Sequence, residues 1–360
     1  MVIALNVASV NRSGISAGIS PLAELLACLH VIAEPDHHPE SRTWVERATG
    51  TLSENLRSEL FRFAPLWARY RLRLFYPLDH QLDRTLAEEL SSLERIHDDV
   101  FIPLTANAIY GRAVTPGSGQ DILDSRSWVR ECEQRSFNRG DLAHSLIADS
   151  HKLRGDLIAV LEDCSTAFFA AEWDQVRPVL ERNARSLRQR VGRNDPLDVV
   201  ASLSRMASAR GSSDIVYFDK LQSASGAVGE QGLVLVPSVR AWPHVMVKLD
   251  PGLPVVIHYL AQEEASADSA QSQAELRKRL LVLAEPGRWQ LCRHLIGESI
   301  TTTELAVRTH STKSAVSRHL RVMREAGLIT SQKDGRQVFH RLNPSVIVHL
   351  GHDVLRGIIR

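Results

Sequence analysis

Ser314, Ser317, Arg318 and Arg321 are short hydroxyl and long basic side chains repeated at helical spacing. Such groups donate hydrogen bonds to phosphate oxygens and to the acceptor edges of bases. At about 100° per residue from Val316, Leu320 falls at about 40° and Met323 at about −20°. Ser317, Arg321, Ser314 and Arg318 spread between about 100° and 200°, on the opposite face. One face is therefore suited to burial and the other to a polyanion. Farther along, Lys333 and Arg336 flank an Asp-Gly pair and would put two more cations at a hairpin tip.

The elements needed to hold this surface can be read on either side of it. Residues 276–296 give two amphipathic helices, the second opened by Pro286, with Leu291 and Leu295 facing a core. Thr302 or Thr303 can cap the short helix "ELAVRTH", and Thr312 can cap the helix that starts at Lys313. Two short helices joined in this way form a helix-turn-helix. Ala306 is small where the second helix must cross, and Val316 fills the matching gap. Gly327 stands where a helix end needs positive φ, and "LITSQKDGRQVFHRL" supplies two strands about a turn.

Residues 276–344 resemble the winged-helix domain of ArsR-type bacterial transcriptional regulators. The resemblance is carried by Glu304, Leu305, Ala306, Thr312, Val316, Ser317, Arg318, His319 and Leu320, then by "REAGLI" and the hairpin ending in Arg341 and Leu342. It departs at His310, where glycine is usual, and at Thr309 and Ser311, where leucine-like residues pack. The stretch "ISPLAELLACLHVIAEPDHHPESRTWVERA", with "FRFAPLW" after it, resembles a helical trunk found ahead of such domains in large regulators.

The resemblance implies a sequence-specific, double-stranded DNA-binding transcriptional regulator, with repression favoured. Helix 313–326 would enter the major groove and wing 328–342 would follow the backbone. The contact set is Thr303, Thr312, Lys313, Ser314, Ser317, Arg318, Arg321, Lys333 and Arg336. Arg324 and Arg341 are equally suited to pairing with surface carboxylates. One small winged helix makes too few contacts for selective binding, so a homodimer is expected. The trunk leaves room for an unidentified small-molecule effector. The rival reading is a protein–protein adaptor that uses the winged helix as a docking module.

Charge distribution agrees with this division of labour. The net charge is +1, yet residues 275–360 carry 15 Lys and Arg against 7 Asp and Glu, while residues 1–274 carry 28 against 35. Only the C-terminal part favours polyanions. The expected fold is mostly α (α+β): a helical trunk over 1–210, a small β segment over 211–260 packed on it, a linker over 261–275 and the DNA-binding domain over 276–360. Runs such as "DIVYF", "GLVLVPS", "HVMVKL" and "PVVIHYL" mark three or four strands.

"MVIALNVASV" lacks a basic leader, and no apolar run has membrane length, so a cytoplasmic protein without membrane association is expected. Cys28, Cys132, Cys164 and Cys292 are too scattered for a disulfide framework or thiolate zinc site. Helix 302–309 has no cysteine, and His349, His352 and Asp353 lack the upstream ligands of the family's other metal pattern, so neither metal nor cofactor is expected. Those three residues suit a C-terminal helix used in dimer contacts.

Trp67, Phe61, Phe63, Tyr70, Phe75 and Tyr76, interleaved with Arg62, Arg69, Arg71 and Arg73, could line a pocket for an anionic aromatic ligand. The plainer reading is core plus surface. His97, Asp98 and Asp99 are consecutive and point apart on a helix, which makes an exposed cluster. No phosphate loop or nucleophile elbow is present, and Gly226, Gly229 and Gly232 lack the flanks of a dinucleotide fold, so the enzyme reading falls behind.

Overall fold

The β-branched runs after residue 214 need hydrogen-bonding partners, and two of those partners come from the other end of the sequence. The computed structural model divides into two units, Met1–Glu264 and Ala265–Arg360. It describes residues 2–35, 38, 41–112, 122, 126–204, 207–209, 214–219, 224–241, 245–261, 273–296, 298–334, 337–343, 346–347, 350–351 and 354.

The first unit begins with β1 (Val2–Asn6) and β2 (Ile15–Ala17). A helical series follows: α1 (Pro21–Ala33), α2 (Arg42–Gly50), α3 (Glu54–Phe63), α4 (Leu86–Glu94), α5 (Asp98–Tyr110), α6 (Arg126–Arg135), α7 (Phe137–Ala148), α8 (Ser150–Cys164), α9 (Ala170–Arg193) and α10 (Pro196–Ala201). Local chemistry starts several of these helices. Ser20 caps α1 ahead of Pro21, Ser53 caps α3, Asp149 caps α8, and Thr85 with Glu88 forms a capping box on α4. Strands β3 (Ala207–Ala209), β4 (Ile215–Asp219), β5 (Ala224–Ala227), β6 (Leu233–Ser238), β7 (Met246–Lys248) and β8 (Val255–Leu260) complete the unit.

These strands form two four-stranded sheets, ordered β3-β4-β1-β5 and β2-β6-β8-β7. The expected β segment is therefore not self-contained. Ile3 pairs with Phe218 in antiparallel fashion, and Ile15 pairs with Leu233 in parallel. Alternation divides β6 between two cores: Leu233 and Leu235 join Ile3, Leu5, Val216 and Phe218, whereas Val234 and Val236 join Leu25, Leu29 and Phe63 of the helical layer. Burial on both faces explains why β6 and β8 read as unbroken apolar runs.

Of the aromatic and arginine stretch, Phe63, Trp67, Phe75 and Tyr76 are core and Phe61 is exposed. The arginines depart from the surface expectation: Arg71 and Arg73 are only 2% and 1% exposed. His97 and Asp99 are exposed, as expected, but His97 caps α5 with Nδ1 3.1 Å from Asp99. Asp98 is half-buried and pairs with the buried Arg154, so the three do not form one exposed cluster pointing apart. Cys28, Cys132 and Cys164 are buried, Cys292 is half-buried, and all four are free thiols. Of the linker expected over 261–275, residues 262–272 lie outside the described residues. Among the described residues no helix is long and apolar enough to cross a membrane.

The second unit contains α11 (Gln273–Leu283), α12 (Pro286–Leu295), β9 (Ile300–Thr301), α13 (Thr302–Arg308), α14 (Lys313–Glu325), β10 (Ile329–Asp334) and β11 (Gln337–Leu342). Its sheet is ordered β10-β11-β9, antiparallel throughout, with Asp334 opposite Gln337 at the hairpin end. Leu291, Leu295, Leu305, Val316, Leu320, Met323, Leu328 and Leu342 close one apolar core.

Candidate nucleic-acid interface

The amphipathic pattern of α14 governs how its polar face is presented. Val316, Leu320 and Met323 are 1%, 4% and 0% exposed, while Lys313, Ser314, Ser317, Arg318 and Arg321 are all exposed on the other side. Thr312 starts the helix by accepting the Ala315 amide at 3.3 Å, as its position suggested. At the far end, Lys278 Nζ donates to the Glu325 carbonyl at 2.9 Å and Arg279 Nε to the Ala326 carbonyl at 2.9 Å. Cations from α11 thus satisfy carbonyls at the negative end of α14 and fix its angle.

The preceding helix is capped one residue earlier than the sequence suggested. Thr301, the last residue of β9, accepts the Glu304 amide at 3.3 Å, and neither Thr302 nor Thr303 serves as the cap. A run of three threonines offers three alternative caps, and the pairing of Thr301 with Phe339 settles which one leaves the sheet. Thr303 is left exposed in the first turn of α13. Ala306 is buried beside Leu305, as the close crossing requires.

His310 adopts φ of +48°, the left-handed conformation for which glycine is the usual residue. The turn holds because Ser311 N–H reaches the Ala306 carbonyl at 3.0 Å and Thr309 Oγ1 donates to the Leu305 carbonyl at 2.7 Å. Gly327, with φ of +69°, ends α14 as anticipated.

Between α14 and the hairpin lies a concavity of about 170 Å³ lined by Thr302, Ser317, Arg318, Arg321, Arg324 and His340, with Leu320 contributing to its wall. His340 is 5% exposed and bridges two elements: Nε2 lies 3.1 Å from Thr302 Oγ1 and Nδ1 lies 2.8 Å from Ser331 Oγ. Burial, and then the Arg324 charge, push its pKa below the ordinary histidine value. It stays neutral at neutral pH and tethers the hairpin to the start of α13.

Arg318 and Arg324 make no ion pair or hydrogen bond with a described residue, and Arg321 reaches only Glu325 at 3.9 Å across exposed surface. Three guanidinium groups thus line one concavity with little internal neutralisation. Thr302, Arg324 and His340 are the polar members outside the expected contact set, which had Thr303 in place of Thr302; the i, i+3 spacing of Arg318, Arg321 and Arg324 was the available signal for Arg324. Lys333 is exposed near the end of β10. Arg336 lies outside the described residues, as do His349, His352 and Asp353. Among the described residues, no three His, Cys, Asp or Glu side chains gather at metal-ligand spacing.

A short helix pair, a basic second helix and a hairpin define a winged helix-turn-helix of the regulatory class. Residues 285–331 match the bacterial regulatory protein, arsR family, and residues 1–265 match a family of unknown function, DUF5937. The chain belongs to DUF5937 and carries an ArsR-family winged helix-turn-helix, which makes it a DNA-binding regulatory protein.

Among curated proteins it is similar to a "Transcriptional repressor SmtB homolog" of Synechocystis, 30% identical over 98 residues, covering 27% of this chain and 72% of that one. It is also similar to the "HTH-type transcriptional regulator NmtR" of Mycobacterium tuberculosis, 31% identical over 81 residues, covering 22% and 68%. Among solved structures, an ArsR-like transcriptional regulator from Rhodococcus sp. RHA1 shares 25% identity over 23% of this chain and 79% of its own, with a TM-score of 0.23.

Proposed function

We propose that the protein is a homodimeric, cytoplasmic repressor that binds specific double-stranded DNA, with α14 in the major groove and the β10–β11 wing along the backbone. One observation carries the reading: the outward face of α14 is exposed and basic, and Arg318, Arg321 and Arg324 converge on a concavity with little internal neutralisation. A face built this way suits a phosphate-rich groove, whereas the adaptor alternative calls for an apolar one.

Thr312, Lys313 and Ser314 sit at the amide-rich start of a 13-residue helix, where a backbone phosphate is favourably bound. Ser317, Arg318 and Arg321 follow along the same face toward base edges, while Thr303 and Lys333 reach flanking phosphates. Arg336 belongs to the proposed contact set from its place in the hairpin sequence. For the dimer, Leu280, Leu281, Trp289 and Ile296 are exposed apolar residues on or just after the first two helices of this unit, a surface that a second copy would cover. Repression is supported by the likeness to the Synechocystis protein, which is named a transcriptional repressor.

The test is selection of duplexes from sheared bacterial genomic DNA by the full chain, followed by competition with scrambled duplexes. The reading expects at least about 1,000-fold preference for the selected sequence. Equal affinity for selected and scrambled duplexes at physiological salt would leave only a non-specific polyanion surface.

A further inference from the structure

The geometry points to a binding site for a small organic carboxylate in the Met1–Glu264 unit, formed by Arg71, Tyr76, Lys248 and His258 and independent of the DNA-binding face.

Arg71 is 2% exposed, its Nη1 is wholly buried without a hydrogen-bond partner, and no described carboxylate pairs with it. A buried guanidinium without a counter-ion is among the most unfavourable arrangements a fold can hold, because arginine keeps its proton. Two further cations surround it. Lys248 Nζ donates to the Arg71 carbonyl and lies 4.6 Å and 5.6 Å from the ring centroids of Tyr70 and Tyr76. Arg73 is satisfied: it donates to the carbonyls of Tyr76, Pro77 and Pro254, and its Nε lies 3.3 Å from Asp250. Asp250 is the one carboxylate among the described residues that acts on Arg73 and Lys248, and it does not act on Arg71.

Unused donors sit beside the unused charge. The Tyr76 hydroxyl is buried next to Arg71 with no hydrogen bond of ordinary geometry, and its ring lies edge-on to His258 at 5.5 Å. His258 is wholly buried, and neither ring nitrogen has a partner. Buried polar atoms are seldom left unpaired, and here several occur together around one cation. Carboxylate oxygens would accept from the guanidinium, the phenol and an imidazole N–H at once.

The charge balance selects a monoanion. Arg73 is paired with Asp250, and burial lowers the His258 pKa to about 3 and that of Lys248 to about 7. Arg71 is therefore the one full charge of the cluster lacking a counterpart, with Lys248 partly charged beside it. Tyr76 also borders a cavity of about 240 Å³ whose wall mixes Leu22, Leu93 and Ile96 with Asp79, Arg84 and Glu89, and it is the one member of the cluster that lines this space.

The experiment measures thermal unfolding of the full chain at constant ionic strength, with chloride replaced in steps by benzoate, propionate or inorganic phosphate up to about 10 mM. Benzoate or propionate is expected to raise Tm saturably by about 5 °C. In Arg71→Gln that rise should vanish, while the ligand-free Tm should equal or exceed the parent's because an uncompensated charge has been removed. Tyr76→Phe, which removes one proposed donor and keeps the ring, provides a second readout if Arg71→Gln does not fold: the carboxylate-induced rise should shrink. No saturable rise with either carboxylate, a rise with phosphate alone, or an undiminished rise in the folded variant would overturn the proposal.

Discussion

Arg318 and Arg308 are exposed arginines of the same unit, ten residues apart, and the account requires them to behave differently. Arg308 is neutralised within the protein: Nε donates to Glu304 at 2.8 Å, and Nη1 donates to Glu298. Those hydrogen bonds, Glu298 first, raise its pKa further. Arg318 has no such partner. Its replacement by alanine, a strong helix former, should change domain stability by less than about 0.5 kcal/mol. If the guanidinium grips a base edge, its loss costs about 1–3 kcal/mol, or roughly 5- to 150-fold in affinity, and relaxes preference at one position. If it grips a phosphate, binding weakens on every duplex and the slope of log K against log salt falls by about 0.9. Arg308→Ala should shift affinity by less than about twofold, since its charge is already matched. Fluorescence anisotropy over about 50–200 mM salt, with circular dichroism to confirm folding, separates these outcomes. Undiminished binding by Arg318→Ala, or an equal loss in Arg308→Ala, would refute the assignment of free charge to α14.

Two further outcomes follow from single residues. His310→Gly should stabilise the ArsR-type unit by about 1 kcal/mol in urea unfolding, because φ of +48° strains a side chain and not glycine; a loss of stability would show that the imidazole makes a compensating contact. Glu24 is fully buried, with Oε1 accepting the Val239 and Arg240 amides at 3.3 Å and 3.2 Å, and burial raises its pKa to about 7. The folded state therefore holds an extra proton between about pH 4.5 and 7, and Glu24's contribution to stability falls as pH rises through that window. Glu24→Gln should gain on the parent between pH 5 and pH 8 by up to roughly 3 kcal/mol; a pH-independent difference would contradict the burial argument.

The legible parts were those that short-range chemistry determines. The Thr312 cap, Pro286, Gly327 and the two faces of α14 each depend on residues within a few positions, so their types sufficed. The less legible parts depend on distant partners. Strands β1 and β2 could not be paired from composition, because Ile3 meets Phe218 only once the whole helical layer has been inserted between them. Arg73 was read with the surface because its acceptor, the Pro254 carbonyl, lies 181 residues away. His340 looked like any strand residue until Thr302 and Ser331 enclosed it.

Guanine N7 protection on a selected duplex bears most directly on the claim that α14 reads the major groove. With the full chain bound, dimethyl sulfate footprinting should show two clusters of protected guanines about one helical turn apart, as a two-fold protein with a helix in successive major grooves requires. Arg318→Ala should weaken protection at one guanine in each cluster. Binding that leaves every guanine N7 reactive would place the protein outside the major groove and contradict the account.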